Sequence, residues 1–270
     1  MNLKSILLIV GVGVAAVAVG IGVYYLVSSL GQETVEVVTP QAPADQSFPP
    51  LEPEPEPTPP PSPQPPTPPP FVHVSLIANP ADAATVTVTE LTATSVKRGI
   101  AAIAPSQLLV GTVRDMTFVD AQNTTLKSPV VLGTLLPGAA PSLSLLFEED
   151  FTSWLYGDKV GGNKLGFAFT LRSEAPIAQA AQTVQSVLEG ALTDIPNLFL
   201  SSVKTPSPAE FKDGQVEGVP VRFLAFNPKS GQVLEYGWLS VSGRTHLVIT
   251  TSYTQMVDIV KRLTATGPAQ

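Results

Sequence analysis

His73 and His246 are the only histidines in this 270-residue sequence, and histidine is the one side chain whose unperturbed pKa lets it exchange a proton near neutral pH. Serine-type nucleophilic catalysis needs such a base within hydrogen-bond reach of a hydroxyl. Both histidines fall in strand-like runs, and neither accompanies the Gly-x-Ser-x-Gly turn that exposes a serine nucleophile. The expectation is therefore a pair of sheet histidines. Their spacing matches no multi-histidine metal site, and the absence of cysteine removes thiol catalysis, disulfides and zinc–thiolate sites together. No catalytic, cofactor-binding or metal-ligating residue is assigned from the sequence, and no cofactor is expected.

Other patterns offer chemistry and are each met by a plainer reading. Glu148-Glu149-Asp150 could supply paired carboxylates for general acid–base work, but contiguous acids point in different directions, and a solvated turn is expected. The run from Gly157 to Lys164 has the look of a phosphate loop. It lacks the Gly-Lys-Ser/Thr ending and joins two strand-like runs, so a hairpin is expected. Trp154 with Tyr156, and Tyr236 with Trp238, each place two aromatics on one side of a strand. On a shared exposed face they would make a stacking platform for sugar rings or prolines; burial is the expectation, since large aromatics are mostly buried. Asn123-Thr124-Thr125 satisfies a glycosylation sequon.

The elements that must position these residues occupy 71–270, enough chain for one hydrophobic core. Val72, Val74 and Leu76 alternate with polar neighbours, as do Thr85 to Thr89, so both read as half-buried strands, with a further strand over Leu108–Phe118. Ser128-Pro129 reads as a cap followed by a first-turn proline, opening a short helix that ends near Pro137-Gly138. A hairpin over residues 151–171 is followed by a helix, with Ile177, Ala181, Val184, Val187 or Leu188, and Ala191 at helical spacing. Three antiparallel strands are expected at Val219–Phe226, Val233–Val241 and Thr245–Thr251. The last helix opens on the capping box Ser252-Tyr253-Thr254-Gln255, and its stripe runs through Tyr253, Met256, Val257, Val260 and Leu263. This order predicts an α+β domain: a mostly antiparallel sheet with helices packed on one face.

The segments LFEEDFTSWLYGDKVGGNKLGFAFTLRSE, GVPVRFLAF and LEYGWLSVSGRTHLVITTSYTQMVDIVKRL, spanning about residues 145–263, resemble a group of uncharacterised, single-span, membrane-anchored bacterial envelope proteins. The resemblance implies an anchor followed by a folded domain and brings no catalytic residue with it.

Upstream of that domain, Ile6–Val27 runs twenty-two residues without a charge, and about 20 apolar helical residues span a bilayer core. A transmembrane anchor is expected in residues 1–30. Lys4 on one side, with Glu33 and Glu36 on the other, places the N-terminus in the cytoplasm and the rest outside. A cleaved signal peptide is the rival, disfavoured because its apolar region is usually shorter. Gly11, Ala15, Ala18 and Gly22 line small residues along one side of this helix, a surface suited to self-association. Proline then fills sixteen of the thirty-one positions from Pro40 to Pro70, so residues 31–70 read as a disordered linker that favours extended polyproline II. At about 3.1 Å per residue the part from Phe48 to Pro70 reaches on the order of 70 Å.

Six acids and no base in residues 31–70 account for most of the net charge of −7. The domain is nearly neutral, which argues against nucleic-acid binding through a basic field. The expected function is a non-enzymatic, membrane-anchored envelope protein displaying an interaction or scaffold domain, its partners the bilayer at residues 6–27 and an envelope protein or cell-wall component. The alternatives are a subunit of a pilus, secretion or other envelope assembly, and a hydrolase acting on cell-envelope material.

Overall fold

The computed structural model describes residue 71, residues 73–77, residue 80, residues 82–104 and residues 106–265. The anchor expected in residues 1–30 and the linker expected in residues 31–70 lie outside the described residues. No helix among the described residues is long and apolar enough to cross a membrane.

Eight strands form one sheet: β1 (Asp82–Thr87), β2 (Val113–Val119), β3 (Phe147–Gly157), β4 (Asn163–Leu171), β5 (Lys212–Val216), β6 (Val219–Asn227), β7 (Gln232–Val241) and β8 (Arg244–Thr250). The spatial order is β1-β2-β3-β4-β8-β7-β6-β5, with every neighbouring pair antiparallel except β1 and β2. That parallel pair requires a crossover, which α1 (Ala93–Ile103) supplies. Gly99 lets α1 approach β1, because a Cβ there would meet the Thr87 carbonyl oxygen at 2.7 Å. The remaining helices are α2 (Ser128–Leu135), α3 (Ala140–Leu146), α4 (Ile177–Gly190) and α5 (Tyr253–Ala265), giving an α+β fold.

Helices cover both faces of the sheet, which corrects the one-face expectation. Alternation along the strands decides the matter: Phe167, Phe169, Leu247 and Ile249 join one apolar cluster, while the intervening Ala168 and Val248 join another. The first cluster takes residues from α1 to α4, including Ile100, Leu132, Leu143 and Val184. The second takes Met256, Ile259, Val260 and Leu263 from α5, together with Trp154 and Tyr156. Within the first cluster Phe147, Phe151, Phe167 and Phe169 pack with ring centroids 5.6–6.5 Å apart; burying each such ring is worth roughly 1.5–3 kcal/mol.

The hairpins and the final helix form where the sequence places them, with differences elsewhere. Residues 73–77 carry no strand, and β2 begins only at Val113. Ser128 is the first helical residue of α2, with Lys127 at the cap. The buried stripe of α4 is Ala180, Val184 and Leu188, and Ile177 is 46% exposed. None of α1, α3 and β5 was expected. The β5–β6 and β7–β8 turns place Glu217-Gly218 and Ser242-Gly243 at positive φ, the twist that two-residue hairpins need.

Candidate functional site

On β7 the side chain between Leu234 and Tyr236 belongs to Glu235, and strand alternation sends it to the face covered by α5. There it lies in register with Phe223 of β6 on one side and Thr250 of β8 on the other. It is 3% exposed. A cleft of about 200 Å³ opens beside it. Val216, Val221, Phe223 and Val233 wall this cleft, and Tyr253, the exposed first residue of α5, stands at its rim. One oxygen of the Glu235 carboxyl has no hydrogen-bond partner. Burial away from any compensating charge pushes its pKa up to about 7.

The same face carries other unpaired polar atoms. Among the described residues, the buried side-chain atoms without a hydrogen bond are His73 Nε2, Asp115 Oδ1, Trp154 Nε1, Glu235 Oε2 and His246 Nε2. His73 is not on a strand; it lies in the segment before β1, where its Nδ1 sits 2.7 Å from Asp150 and its Nε2 3.9 Å from Asp115. The hydrogen bond to Asp150 raises its pKa against the opposing effect of burial. Burial in turn raises that of Asp115, partly offset by His73. With a carboxylate facing each ring nitrogen, His73 is directed at no hydroxyl nucleophile. His246 occupies β8 as expected, buried, with Nδ1 3.1 Å from the Thr170 hydroxyl; burial, then Arg244, lowers its pKa.

The glycine loop between β3 and β4 is a hairpin loop, with Gly161 and Gly162 at positive φ. Its own Asp158 occupies the N-terminus of α5, accepting hydrogen bonds from Ser252 at 2.5 Å and Thr254 at 2.9 Å. A carboxylate is favoured there by the helix dipole, and it fills the place a phosphate would take. Lys164 is buried beside this loop, its ammonium donating to the Ser230 carbonyl at 3.2 Å, and burial lowers its pKa.

Glu148, Glu149 and Asp150 begin β3 and are not a solvated turn. Glu148 pairs with Arg244 and Glu149 with Lys127, while Asp150 is hydrogen-bonded to the His73 ring. The aromatic pairs are divided between the faces: Trp154 and Tyr156 lie under α5, Tyr236 and Trp238 in the other cluster, so they form no common platform. Tyr236 instead donates to Glu189 at 2.7 Å, and Arg222 grips the same carboxylate at 2.5 and 2.9 Å. An acid at the C-terminal end of α4 opposes the helix dipole, and Arg222 offsets it. Asn123 is exposed, in a turn at positive φ.

Of these arrangements only the Glu235 cleft combines an opening, apolar walls and an unsatisfied polar group. Strand alternation marks Glu235 as a polar outward position; the signal that would have found it is the apolar alternation of Val219, Val221 and Val248, which demands cover on the second face as well. Comparison with protein-family models, with curated proteins and with solved structures returned no match.

Proposed function

We propose that this chain is a single-span, membrane-anchored envelope protein whose α+β domain, displayed outside the membrane on a proline-rich linker, binds a ligand or partner and performs no catalysis. The uncharged run at residues 6–27 supports the anchor, and the proline tract supports the linker. The resemblance of residues 145–263 to anchored envelope proteins is consistent with both. The observation that carries the binding role is the Glu235 cleft, an apolar hollow to which the described residues contribute one acid and neither a second carboxylate nor a histidine. A lone buried carboxyl holds a ligand's polar end and lacks the partner that hydrolytic chemistry requires.

One observation favours the hydrolase alternative: a carboxyl with a pKa of about 7 is suited to general acid work. Such an enzyme would lose all turnover in Glu235→Gln. Localisation tests the main reading. The chain is expected to sediment with membranes, and protease added to spheroplasts is expected to digest the domain. Intact chain recovered in the cytosol, or a domain spared by added protease, overturns the proposal.

A further inference from the structure

We infer that the Glu235 cleft is a recognition site for a primary alkylammonium group, such as a lysine side chain or a free aliphatic amine. This rests on the binding role proposed above and names the chemistry of what is bound. A buried carboxyl with an unpaired oxygen is a standing cost, because it has lost water and gained nothing in exchange. A ligand that brings donors and a positive charge removes that cost; an anion would add to it. A neutral donor supplies the hydrogen bond but brings no charge to favour the ionised form of the carboxyl.

The walls fix the rest of the ligand. Val216, Val221 and Val233 present aliphatic surface suited to methylenes, Phe223 lies opposite the acid in the ladder and Tyr253 stands at the rim, a combination that favours a cationic head on an apolar stem. Lysine has this shape. Among the described residues no basic side chain lines the cleft, so none of them places a cation beside the carboxyl there.

The test is calorimetric titration of the full-length chain in detergent micelles, with protein-free micelles subtracted. The probes are n-butylamine, n-butanol, pentanoate and a lysine blocked at both ends. The expected order is amine and blocked lysine at least tenfold tighter than butanol, with pentanoate not binding. Glu235→Gln keeps the side-chain shape and is expected to reduce amine binding at least tenfold while leaving butanol unchanged. Ala225→Leu, which projects bulk into the cleft, is expected to weaken both. Blocked lysine binding more tightly than butylamine assigns the site to a side chain on a partner, and the reverse order assigns it to a free amine. Equal binding of amine and butanol, no amine binding by the folded chain, or an unaltered amine affinity in Glu235→Gln overturns the inference. The titration reads the cleft wherever the chain resides, so its failure is distinct from a failure of the localisation experiment.

Discussion

Glu235 couples stability to pH in the sense opposite to a salt-bridged acid. Its folded pKa of about 7 lies above the ordinary 4.5, so between these values the folded state holds the extra proton. Stability is fully present below 4.5, falls as pH rises through the folded value, and levels off above it. The shift corresponds to about 3 kcal/mol. Glu235→Gln should remove this component: its denaturant midpoints at about pH 5 and about pH 8 should differ less than those of the parent chain. An unchanged difference would refute the assignment. Composition and motif could not find this residue, because a glutamate alternating with Leu234 and Tyr236 looks like ordinary solvent-facing polarity. The histidines show the same limit. That His246 belongs to a strand was legible, but the carboxylates around His73 come from β2 and β3, 42 and 77 positions along the chain.

Among the elements, those with local signals were legible. The β3–β4 hairpin carries its glycines, and α5 carries its capping box: the Gln255 amide donates to the Ser252 hydroxyl at 3.2 Å, and the Gln255 side chain accepts from the Thr251 amide at 3.0 Å. Because Ser252 also serves Asp158, Ser252→Ala should cost about 1–2 kcal/mol, read as a lower denaturation midpoint. The β3–β4 contact also depends on a missing side chain. A Cβ at Gly166 would lie 2.6 Å from the Trp154 indole nitrogen, so Gly166→Ala should destabilise by about 1–3 kcal/mol, visible as a lowered Tm. An unchanged Tm would show that Trp154 can move aside. By contrast β5, with the sequence KDGQV, has little strand character of its own and exists because β6 offers it an edge. Residues 73–77 have the alternation of a strand but find side chains in place of a backbone ladder.

For the molecule as a whole, the antiparallel block was readable from three apolar runs and two turns, and the apolar alternation of Val219, Val221 and Val248 signals that the second face needs cover, but no local signal says which helix supplies it. A helix stripe reveals that a helix must be buried but not against which side of a sheet. Before β1 the chain crosses that second face, where the Val74 amide donates to Asp150 at 3.0 Å and the Leu76 amide to Thr152 at 2.9 Å. Asp150→Ala removes the first bond and the His73 pairing together. It should speed amide exchange in residues 73–77 by roughly tenfold or more, with β4 and β8 unchanged, as read by hydrogen–deuterium exchange. Equal exchange before and after the substitution would show that Thr152 and Ile77 hold the segment alone. Asp150 and Thr152 lie on β3, third of eight strands; Thr152 is in register with Ala168 of β4, and Asp150 sits in the register break just before Phe151. Tension drawn along the chain from residue 71 therefore loads an interior strand before it reaches β1, so the first pull falls inside the sheet and not on its edge strand.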